Sequence, residues 1–89
     1  MIYTYNDILR IKEDMVWVVK VIRTKPKLRR NLELQTFANG LEGELWAYDD
    51  LLKKVGINGS IDSVRDNAAF LDVTSNLIRE TKISIAGFH

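Results

Sequence analysis

The chain has 89 residues, 46% of them apolar and 28% charged, with 13 Lys+Arg against 12 Asp+Glu. That composition fits one small globular domain spanning 1–89 and excludes a disordered chain. No cysteine is present and the single histidine is His89, which excludes disulfide scaffolds, thiolate zinc sites, cysteine nucleophiles and most histidine chemistry.

The start, Met1-Ile2-Tyr3-Thr4-Tyr5-Asn6-Asp7, lacks a basic stretch followed by an apolar one, so no signal peptide is expected. The longest apolar run, Met15 to Val19, is far short of the roughly 20 residues that cross a bilayer. No membrane contact and a cytoplasmic location are the resulting expectations. The small net charge hides a split. Residues 1–30 carry eight basic and three acidic side chains, whereas residues 31–89 carry five basic and nine acidic ones.

Thr4 with Asp7 three positions later resembles a capping box and opens a short helix over 4–13. Residues 15–24, Met-Val-Trp-Val-Val-Lys-Val-Ile-Arg-Thr, are mostly β-branched or aromatic and read as a central strand. The competing reading is one helix from Thr4 through Ile22, because Ile8, Ile11, Met15, Val18 and Ile22 keep helical spacing. Lys25-Pro26-Lys27 reads as a turn.

Asn31–Ala38 and Leu41–Tyr48 each alternate polar and apolar residues around Asn39-Gly40, the strongest short hairpin signal. The two-residue turn pairs Leu34 with Leu45 and Leu32 with Ala47 on a core face, and leaves Phe37, Trp46 and Tyr48 outward. A helix from Leu41 competes through Leu41, Leu45, Tyr48, Leu52 and Val55. Asp49–Gly56 follows as a short helix with acids first, lysines last and Gly56 as its stop. Ser60 is placed as the cap of a longer helix over 61–79. The tail from Thr81 to Gly87 alternates, as a short C-terminal strand would. The expected fold is therefore α+β: a short N-terminal helix, a three-stranded antiparallel β-meander, then two helices (α-β-β-β-α-α).

Few constellations carry chemistry. Serines 60, 63, 75 and 84 have no neighbouring base in sequence, and the glycines form no phosphate-binding pattern. Glu42/Glu44 and Asp62/Asp66 read as solvated faces without a third metal ligand. No catalytic residue, cofactor or metal is assigned. The sharpest feature is Arg23-Thr24-Lys25-Pro26-Lys27-Leu28-Arg29-Arg30, five of whose eight residues are basic. Such a segment neutralises phosphates or steers an acidic protein surface. The candidate partner-binding residues are Arg23, Lys25, Lys27, Arg29 and Arg30, with Trp46 and Tyr48 as an aromatic patch if the outward hairpin face is left uncovered.

The element order over residues 4–80 resembles that of the double-stranded-RNA-binding domain. That family carries a lysine-rich cluster where its last helix starts. Here that helix opens Ser60-Ile61-Asp62-Ser63, so no binding residue is transferred. In scale the chain is similar to small phage-encoded inhibitors of host defence. The expected function is a non-enzymatic binding module, an inhibitor or adaptor docking on an acidic protein surface. The alternative is a sequence-nonspecific nucleic-acid binder using the 23–30 segment. Homodimerisation through a strand edge is compatible with both.

Overall fold

In a computed structural model, residues 1–86 are described. The order is β1 (Ile2–Thr4), α1 (Tyr5–Thr24), α2 (Pro26–Arg29), α3 (Leu32–Val55), β2 (Ser60–Asp62) and α4 (Phe70–Ala86). The molecule is elongated, 40 × 20 × 18 Å.

Thr4 caps α1 in a true capping box: its hydroxyl accepts from the Asp7 amide, and the Asp7 carboxylate accepts from the Thr4 amide. The helix does not stop at Asp14, and residues 15–24 are not a strand. Ile8, Ile11, Met15, Val18 and Ile22 are buried at alternating steps of three and four. That stripe matches one face of a helix. Burying these side chains contributes roughly 1.5–3 kcal/mol each. The helix penalty of a β-branched residue is at most about 0.7 kcal/mol. Burial therefore decides the conformation of 15–24 against local preference.

The meander fails for the same reason. Leu34, Ala38, Leu41, Leu45, Tyr48 and Leu52 repeat the three-four spacing along α3 and face the core. Asn39-Gly40 lies inside this helix rather than in a turn, and the expected 49–56 helix is its last two turns. Leu32, assigned to the inner face of the hairpin, is 81% exposed. Asn31 caps α3 through its side-chain oxygen, which accepts from the Leu34 amide. Gly56 ends it at φ 75°, a left-handed conformation that suits glycine. The three-stranded sheet and its likeness to the RNA-binding domain are thus replaced by an antiparallel helical hairpin, α1 against α3.

Ser60 does not cap a helix. It begins β2, which pairs antiparallel with β1 in the register Ile2–Asp62, Tyr3–Ile61 and Thr4–Ser60. The last helix starts only at Phe70 and runs through the segment expected to form a C-terminal strand; Gly87 lies outside the described residues. Leu71, Thr74, Ile78 and Ile85 line its buried face. α4 runs parallel to α1: Tyr3 meets Asp72 and Asp14 meets Lys82. Both α3 and α4 pack on α1, but they approach each other far less closely. The result is a three-helix, up-down-up arrangement with an open seam between α3 and α4.

Candidate functional site

α2 and its flanking residues make a tight corner between α1 and α3. Lys25 is the joint between α1 and α2, and Pro26 occupies the first turn of α2, where its missing N–H costs nothing. Leu28 is fully buried and pins the corner to the core. The Gln35 side-chain amide of α3 donates to the carbonyls of Ile22 and Leu28 at 3.2 and 3.4 Å. The expected turn is therefore a braced helical corner.

This corner gathers the basic segment. Lys25, Lys27, Arg29 and Arg30 are all exposed there. Arg23 differs: its guanidinium is engaged by Glu42 and, at 2.8 Å, by Asn39. Arg23 therefore joins α1 to α3, and its charge is largely answered within the fold. Leu32, exposed at the start of α3, follows Arg29 and Arg30 closely in the chain.

The aromatic pair does not form a patch. On a helix, residues two apart point about 200° from each other. Trp46 is 71% exposed, while Tyr48 is 1% exposed and packs edge-on against Phe70, centroids 5.9 Å apart. Tyr48 therefore belongs to the core. Burial raises its pKa, and the neighbouring Thr74 hydroxyl partly offsets that rise without reaching good hydrogen-bond geometry to the Tyr48 hydroxyl. Glu42 and Glu44 are likewise separated by the helix: Glu42 pairs with Arg23, and Glu44 faces α4.

At the opposite end, Asp72 of α4 accepts from the Tyr3 hydroxyl and, at 2.7 Å, from the buried Ser63 hydroxyl. These bonds hold the Asp72 carboxyl below the usual carboxylate range, while burial and the same carboxylate push Tyr3 up to about 12. A carboxylate made less basic, with two hydroxyls donating to it, is a poor proton acceptor at neutral pH. The cluster ties β1, β2 and α4 together. Asp62, expected to share a helical face with Asp66, instead accepts the Val64 and Arg65 amides, which lower its pKa. Among the described residues, no group of three His, Asp or Glu side chains is arranged to hold a metal ion, and no helix is long and apolar enough to cross a membrane. The reading of His89 lies outside the described residues.

The seam between α3 and α4 carries no motif in the sequence. It is a groove of about 380 Å³ lined by Phe37, Gly40, Leu41, Glu44, Phe70, Val73, Thr74 and Leu77. Its signal was present: Phe37, Phe70, Val73 and Leu77 are apolar residues beside the core stripes, more than a single packed face requires. No protein-family model, curated protein or solved structure matches this chain.

Proposed function

We propose that the chain is a non-enzymatic binding module, an inhibitor or adaptor that acts by occupying an acidic protein surface through its α1–α2–α3 corner. One observation carries this reading: Leu32, 81% exposed, follows the exposed Arg29 and Arg30 by two or three residues on a braced corner. An apolar anchor among arginines is the composition of a protein–protein contact. A phosphate backbone would need the cations and gain little from the leucine. Glu33, adjacent to Leu32, further disfavours a polyphosphate.

The test combines two measurements. Labelled duplex and single-stranded DNA and RNA are titrated at low and higher salt. In the cells that encode the protein, a carboxylate-to-amine cross-linker compares the wild type with the Arg29→Glu/Arg30→Glu double variant. The expected result is no saturable nucleic-acid binding, together with one protein joined through its acidic residues to Lys25 or Lys27. The double variant loses that product. Its Tm stays within roughly 2–4 °C of wild type, as for a surface change of about 0.5 kcal/mol. Tight nucleic-acid binding that collapses with salt would replace this reading with a phosphate clamp. A large fall in Tm would make the arginines structural.

A further inference from the structure

We infer that the groove between α3 and α4 is a second docking surface, and that its occupant is an amphipathic helix of a partner with basic residues flanking its apolar face. The shape fits a helix. Two antiparallel helices wall the groove, with the buried Leu41 and Thr74 at its base, and both helices pack on α1. A fourth helix laid along the seam completes a four-helix bundle. Phe37 to Glu44 spans roughly 10–12 Å, about two helical turns. That length takes the i, i+3, i+4 and i+7 anchors of a helix-in-groove contact. Val73 is 58% exposed, and Phe70 and Leu77 are also exposed, so the apolar wall on α4 is not consumed by the fold.

Gly40 points to close approach. A Cβ at this position would meet nothing within 4 Å, so neither crowding nor a left-handed backbone calls for glycine here. A mid-helix glycine weakens the helix. In this groove it leaves a dent where a partner's side chain or backbone settles.

The charge of the rim selects the partner. Glu44 lines the groove and takes part in no ion pair among the described residues. Glu33, one turn before Phe37, and Glu80, one turn beyond Leu77, extend the two walls. The cations of α4 are directed elsewhere: Arg79 to Asn76, and Lys82 to Asp14 and the face of Trp17. A groove between α1 and α4 contains the Asp14–Lys82 pair together with Arg79, so its rim is not acidic and does not call for a basic helix. A basic flank on the incoming helix meets carboxylates on both walls.

The experiment uses two synthetic helical peptides of about 16 residues, each with leucines at i, i+3, i+4 and i+7. One carries lysines beside the leucines and the other carries glutamates. Binding is followed by anisotropy and by amide chemical-shift mapping on the full chain. The lysine peptide is expected to move the amides of Gly40, Glu44, Val73 and Leu77 and to bind at least about tenfold more tightly than the glutamate peptide. Gly40→Leu, whose Cβ meets nothing within 4 Å, fills the dent and weakens binding by about tenfold or more, with far-ultraviolet circular dichroism checking that the helix is kept. Glu44→Lys reverses the peptide preference. Arg29→Glu/Arg30→Glu leaves binding unchanged, which separates this surface from the corner. Equal affinity for both peptides, shifts outside the groove, or an unaltered Gly40→Leu variant would overturn the inference. So would a concentration-dependent dimer abolished by Val73→Glu, which would make a second copy the occupant.

Discussion

Gly40→Ala distinguishes a helix from a hairpin at residues 39–40 by the sign of one number. In α3 the backbone at Gly40 is helical and an added Cβ meets no atom within 4 Å. The substitution therefore removes the entropic cost of glycine without a steric penalty, worth about 1 kcal/mol of added stability. For a domain of this size that raises Tm by about 4–8 °C. Gly43, equally open, gives a second gain of the same size. In an Asn-Gly hairpin both turn residues need positive φ, and alanine at Gly40 would destabilise by about 1 kcal/mol or more. Thermal unfolding followed by far-ultraviolet circular dichroism reads the difference directly. A lowered Tm for Gly40→Ala would refute a continuous α3 and, with it, the helical bundle.

Two further outcomes are expected. Gly59→Ala has the opposite sign to Gly40→Ala, because its Cβ would lie 1.9 Å from the Val55 carbonyl oxygen. Relieving that clash costs about 1–3 kcal/mol or more, seen as a Tm drop; a Tm equal to wild type would contradict the close approach at the end of α3. The Tyr3 hydroxyl is pushed up to about 12, by burial first and then by its hydrogen bond to Asp72. A raised pKa favours the neutral form in the fold, so this stabilisation is whole below about pH 10 and is lost as pH rises from about 10 to 12. Tyr48, also raised by burial, acts in the same direction. The measurement is therefore the difference between wild type and Tyr3→Phe in urea midpoints across that window. Parallel curves would remove Tyr3 from the account.

Local chemistry at helix ends was legible in the sequence. Thr4 with Asp7, and Gly56 after Lys53-Lys54, act within four residues of themselves, and the structure uses both as read. The interior was misread because two periods compete there. Val16, Val18, Val19 and Val21 favour a strand by side-chain branching, and Asn39-Gly40 favours a turn. A short window weighs those preferences fully. The stripe that overrules them needs fifteen or more residues to emerge, from Ile8 to Ile22 and from Leu34 to Leu52. Leu32 and Leu34 show the ambiguity in miniature: alternation puts both inward, whereas the helix exposes the first and half-buries the second. β2 was invisible for another reason. Ser60-Ile61-Asp62 is a strand only because Ile2–Thr4 lies beside it, and no local pattern announces that neighbour. At the corner, sequence located the cations but not the engagement of Arg23 by Glu42, which depends on α3 returning along α1.

The β1–β2 ribbon joins positions about sixty residues apart, whereas the α1–α3 hairpin closes over the short α2 corner. Loop-closure entropy therefore separates the two events on the folding path. The helical hairpin forms early from neighbours in the chain. The ribbon closes late and carries α4 home with it, through Tyr3, Ser63 and Asp72. Before that closure, Tyr48 lacks the edge-on contact that Phe70 of α4 supplies. Because α4 packs less extensively on α1 than α3 does, the partial unfolding expected to cost least detaches α4 and the ribbon as one unit while α1 and α3 stay paired.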